Sequence, residues 1–118
     1  MNSMFLMMVL FQVKHFLFDF PFQNKRHLLY KGNYGNIGGI EHSLLHGVGT
    51  YLVVGLCTNN LVIGLLFAVI DTMLHYHIDW LKVNFGSKTT SDPKFWTHLG
   101  LDQLAHQLCY IGYIYFLI

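Results

Sequence analysis

Four pairs of histidine and aspartate residues recur along the chain with members four apart: His15 and Asp19, His42 and His46, His75 and Asp79, Asp102 and His106. Asp71 precedes His75 by four residues, and His98 precedes Asp102 by four. On a helix this separation puts both side chains on one face. Imidazole and carboxylate together suit zinc, iron, manganese or nickel better than calcium or magnesium. A carboxylate beside a histidine can instead orient the ring, and the pairs can serve purely as interhelical hydrogen bonds. Haem ligation and a proton path are the remaining chemistries such residues offer.

The pairs sit inside apolar segments, at about residues 4–22, 41–57, 61–81 and 95–118. Each is close to the ~20 residues a helix needs to cross a bilayer, although each carries ionisable or polar residues. The expected fold is therefore all-α, a single domain over residues 1–118 built as a polytopic four-transmembrane-helix bundle. Composition agrees: 118 residues with 11% charged and 53% hydrophobic, against roughly 25% charged in soluble domains. That balance argues against a soluble monomer, a disordered chain and a disulfide-stapled domain. A net charge of +1 gives no reason to expect a nucleic-acid partner. Cys57 and Cys109 lie in apolar runs and read as free thiols. The N-terminal MNSMFLMMVLFQVKHF has neither a basic start nor a small-residue cleavage pattern, so it reads as part of the mature fold.

Pro21 and the polar run from Gln23 to Arg26 end the first segment, and the Gly/Asn-rich stretch from Lys31 to Gly39 reads as a loop. Thr58, Asn59 and Asn60 make a tight turn. Ser91 or Asp92 can cap the last helix, with Pro93 in its first turn. Lys25, Arg26 and Lys31 fall in the first loop, and Lys82, Lys88 and Lys94 in or beside the third. The positive-inside rule then puts both loops in the cytoplasm and both termini outside, in a multi-pass bacterial inner membrane. All four polar pairs would lie in one layer toward the inner leaflet. Intramembrane ionisable groups are costly and mark function by default. Gly47, Gly49, Gly55, Gly64 and Gly112 are expected to allow close helix approach, and His27 and His77, off the stripes, to be interfacial.

The runs HFLFDFPFQNKR, EHSLLH, HYHIDWLK and LDQLAHQ resemble the small integral-membrane family catalogued as domain of unknown function 3307, found in bacteria and their phages. The likeness covers nearly the whole chain and is most specific in the last two runs. It maps a polar set onto His15, Asp19, Gln23, Lys25, His42, His46, His75, Asp79, Lys82, Asp102, Gln103 and His106. The Gly-rich first loop, Asp71 and His98 depart from that pattern, and the family implies no settled activity. A looser similarity, to membrane-bound metal-dependent hydrolases, is an analogy of fold.

The expected function is metal-dependent hydrolysis of a phosphoester or lipid-derived substrate near the inner leaflet. His42, His46, His75, Asp79, Asp102 and His106 are the expected ligands of a transition metal, zinc first, with manganese or iron as alternatives. His15 or Asp19 would act as general base or orient a ligand, and Lys82 or Lys25 would hold an anionic group. The rival expectation is a non-enzymatic membrane subunit, or a phage-encoded partner protein in a larger complex or homo-oligomer, with structural His/Asp pairs. Co-purification in a fixed complex would favour the subunit, and bound metal in the isolated protein the enzyme.

Overall fold

The computed structural model describes residues 3–118, which form five helices and, among the described residues, no strand. Four long helices, α1 (Ser3–Asp19), α3 (Ile37–Thr58), α4 (Leu61–Phe85) and α5 (Pro93–Leu117), make the bundle. A short α2 (Lys25–Tyr30) lies in the first connection, where the sequence suggested only loop. Its start is a capping box: Asn24 accepts from the His27 N–H at 2.9 Å, and the Asn24 N–H donates to His27 Nδ1 at 3.4 Å.

The ends of the long helices have local causes. α1 stops two residues before Pro21, which cannot donate a helical hydrogen bond. Gln23 then donates its side-chain amide to the Asp19 carbonyl, a group the helix end leaves open. Asn59 turns the chain in the left-handed region, at φ 53°, as short polar residues do. Asn60 caps α4 by accepting from Val62 and Ile63 N–H, both at 3.1 Å. Asp92 caps α5, with Pro93 in the first turn.

α3 packs against α1, α2 and α4, and α5 closes the ring against α4 and α1. The bundle measures 44 × 28 × 23 Å. One end is filled by Met7, Phe11, Val53, Val54, Phe67, Tyr110, Tyr113 and Ile114, with the Phe11 and Tyr110 rings stacked at 4.9 Å. The other end is polar inside, with six histidines and four aspartates buried. Large apolar side chains face outward along all four long helices, among them Val13, Leu52, Val62 and Leu108. Among the described residues one helix, α4, is long and apolar enough to cross a membrane by length and composition.

Close approach of α3 and α4 depends on glycine. A Cβ on Gly64 would meet the Tyr51 carbonyl oxygen at 2.9 Å and Gly55 Cα at 3.0 Å, both backbone atoms that cannot swing away. Gly112, expected in the same role, has nothing within 4 Å of its would-be Cβ. Gly64→Val should therefore cost about 1–3 kcal/mol through forced separation of the helices, whereas Gly112→Ala should be neutral or slightly stabilising. Thermal unfolding followed by circular dichroism checks this, and equal midpoints for the two variants would refute it.

Candidate metal centre

Because the helices alternate in direction, the C-terminal ends of α1 and α4 meet the N-terminal ends of α3 and α5. All four polar pairs converge there. Asp19 Oδ1 lies 2.9 Å from His46 Nε2, 3.2 Å from His42 Nε2 and 3.7 Å from His75 Nε2. Asp79 Oδ2 lies 3.2 Å from His42 Nε2 and 3.5 Å from His75 Nε2, while its Oδ1 lies 3.3 Å from His106 Nε2. The His42 and His75 Nε2 atoms are 3.3 Å apart. The opposite ring nitrogens of His42, His46 and His75 have no hydrogen-bond partner among the described residues. Each of these imidazoles thus interacts with the cluster through Nε2.

Among the described residues, two groups of side chains are placed so that they could hold a metal ion: Asp19, His42, His46 and His75, and His75, Asp79 and His106. Asp19 therefore stands among the candidate ligands, where the sequence suggested a base or an orienting group. Asp102 falls outside both groups, with Oδ1 3.5 Å from His106 Nε2. His15 also stands outside them, with Nε2 3.0 Å from Asp19 Oδ2 and 2.8 Å from Gln103 Oε1.

A second polar layer, one helical turn deeper, explains the orientation of His15. Lys14 Nζ donates to Asp71 Oδ2 at 2.6 Å, Thr50 Oγ1 at 2.9 Å and the Tyr110 hydroxyl at 3.3 Å. An ammonium only donates, so the Tyr110 hydroxyl accepts from Lys14 and gives its own proton to His15 Nδ1, 2.9 Å away. His15 then carries its proton on Nε2 and donates toward Gln103 and Asp19. Tyr113 and Thr50 complete the Asp71 carboxylate, donating at 2.9 and 2.6 Å. Lys14, Thr50 and Tyr110 were missed as site residues in the sequence. Thr50 and Tyr110 each lie four residues beyond a paired histidine, so continuing the stripes by one turn would have found two of the three.

Lys31 was also missed. It reads as a loop charge, yet its Nζ is buried 3.2 Å from Asp79 Oδ2 and 2.9 Å from Gln23 Oε1. Burial opposes its charge, but the carboxylates of Asp79 and Asp19 outweigh that and hold the ammonium above its ordinary range. Lys82 lines a cavity of about 480 Å³ together with Lys31, Asp19, Asp102, Gln23 and Gln103. Lys25 begins α2. His27 is buried, not interfacial, with Nε2 3.6 Å from Glu41 Oε2. His77 is exposed and pairs with the Tyr34 hydroxyl at 2.9 Å. His98 Nδ1 accepts from the Ser87 N–H at 2.7 Å and so holds the α4–α5 loop rather than extending the cluster. Cys57 and Cys109 are free thiols.

A family model described as "Protein of unknown function (DUF3307)" matches residues 6–118. No curated protein and no solved structure matches the chain.

The Lys14–Asp71 pair makes a strong demand on stability. Lys14→Met should cost about 3–5 kcal/mol, because it leaves a buried carboxylate without its counter-charge. Adding Asp71→Leu should restore much of that loss. Unfolding of the wild type, the single and the double variant tests it, and a double variant no more stable than the single would sink the account.

Proposed function

Because the chain belongs to the DUF3307 family, whose description carries no activity, we propose its function from the site itself: a membrane-embedded, metal-dependent hydrolase of phosphoester or lipid-derived substrates. The carrying observation is the convergence of three imidazole Nε2 atoms on the single oxygen Asp19 Oδ1, within 2.9 to 3.7 Å. Zinc is the proposed ion, with manganese and iron as alternatives. A metal held by Asp19, His42, His46 and His75, or by His75, Asp79 and His106, would supply a bound water with a pKa near ~7 and polarisation of a phosphoryl oxygen. Hydrolysis of a phosphoester adds water to phosphorus and breaks the ester P–O bond, releasing an alcohol and the remaining phosphate group.

The chain's own residues fit the remaining roles. Lys31 and Lys82 line the cavity beside the cluster and suit an anionic substrate group. His15 holds Asp19 by its Nε2 proton and so aims Oδ1 at the ring nitrogens. Gln103 accepts from His15 and donates to Asp102 Oδ2 at 3.1 Å, tying α1 to α5.

The membrane part of the proposal is four spanning helices, with the α1–α3 and α4–α5 connections cytoplasmic and both termini outside an inner membrane. It is supported by an apolar exterior around a polar interior, the reverse of a soluble domain. Basic residues in those two connections agree with it. Reporter fusions after Ile118 should read as outside and fusions within Gly86 to Ser91 as inside, and a shared side would refute this topology.

The purified protein should retain a transition metal and hydrolyse a phosphate ester, and chelation should abolish the activity. His15→Ala should weaken metal binding about 10–100-fold, as loss of an orienting partner does, while His77→Ala should retain its metal. Lys82→Met should raise KM more than it lowers kcat. A protein that loads metal yet cleaves no phosphate ester would favour the subunit alternative.

A further inference from the structure

The position of the Asp79 carboxylate between two sets of imidazoles points beyond a single ion. We propose that the centre holds two transition-metal ions bridged by Asp79, one enclosed by protein and one open to the cavity, and that it acts on phosphate monoesters. This rests on the metal-centre reading above. Four imidazole Nε2 atoms, of His42, His46, His75 and His106, and carboxylates of Asp19, Asp79 and Asp102 meet here. That is more than one tetrahedral ion accepts.

The donors divide by which Asp79 oxygen they face. Oδ2 faces His42 and His75, at 3.2 and 3.5 Å, whereas Oδ1 faces His106 at 3.3 Å. On the Oδ2 side, Asp19 Oδ1 joins His42, His46 and His75 as four buried donors whose ligand atoms lie within 4.8 Å of one another. With the bridging Asp79 Oδ2, these make five protein donors around the first ion and leave it no open position. On the Oδ1 side stand Asp79 and His106. His75 belongs geometrically to both groups, but its Nε2 has one lone pair and serves one ion.

Asp102 supplies what the second ion then needs. Its Oδ1 lies 3.5 Å from His106 Nε2, is buried, and has no hydrogen-bond partner among the described residues. An orphaned carboxylate oxygen is costly in an apolar bundle, and a cation beside it removes that cost. Three protein donors leave a coordination position open. Asp102 also forms part of the cavity wall with Lys31 and Lys82, so the open position faces the space a substrate would enter.

Charge favours the same arrangement. Asp19, Asp79 and Asp102 against Lys31 leave two negative charges when the imidazoles are neutral, as ligands must be. One divalent ion brings the site to neutrality. Two leave it at two positive, which matches a phosphate monoester dianion.

Loading the purified protein with Mn2+, removing excess, and measuring metal content and electron paramagnetic resonance tests the proposal. Two ions per chain with a spin-coupled spectrum are expected, since bridged ions lie about 3.5–4 Å apart. His46→Ala and the near-isosteric Asp102→Asn should each hold one ion and show only an uncoupled signal. Metal-loaded wild type should cleave a phosphate monoester at least about tenfold faster than the matching diester. One uncoupled ion in the wild type would overturn the two-ion centre and leave the metal reading intact, whereas no ion would overturn both. A preference for the diester would overturn the substrate assignment.

Discussion

Asp79 is 2% exposed, and its two oxygens meet His42, His75 and Lys31 on one side and His106 on the other. A carboxylate in that position has exchanged its hydration shell for donors carried by α3, α5, its own helix and the chain just after α2. An ionised group in an apolar bundle is tolerable only when such partners are present together. The helices are thereby tied in one register: sliding any of them by one residue would turn its donor away from the carboxylate and leave a buried charge exposed to nothing. α2 serves the same demand, because its C-terminal end is what brings Lys31 to Asp79.

The deeper layer follows from the same constraint in a different way. Lys14 and Asp71 cancel each other's charge, and Lys14 meets three acceptors. This layer is closed, with every strong donor and acceptor engaged. The cluster above it is open in the opposite sense, since a buried Asp102 oxygen beside His106 has no hydrogen-bond partner among the described residues. One layer has the character of a structural tie and the other that of a site. The Tyr110 hydroxyl joins them by setting which nitrogen of His15 carries the proton.

An interior of histidine and aspartate leaves the apolar side chains to face outward, and glycine contacts between α3 and α4 supply tight packing without a large hydrophobic core there. Such packing suits lipid, where burial of apolar surface between helices provides little drive and close backbone approach provides more.

The all-α class, the long helices and the shared face of each pair were legible in the sequence, because a spacing of four maps directly onto one helix face whatever the tertiary context. The Asp92 cap with Pro93 and the turn at Asn59 and Asn60 were legible for the same reason, being local backbone chemistry. What lay beyond reach was decided by approach between helices distant in sequence. Lys31 read as a loop charge until α2 carried it to Asp79, and Lys14 carried no reading until Asp71 met it from α4. His27 read as interfacial until α3 covered it, and Asp19 as a helper until α3 and α4 brought three ring nitrogens to its Oδ1. Sequence periodicity determines which face a residue occupies. Only the packed bundle decides which groups from other helices meet it there, because that depends on register and approach distance, which no single helix encodes.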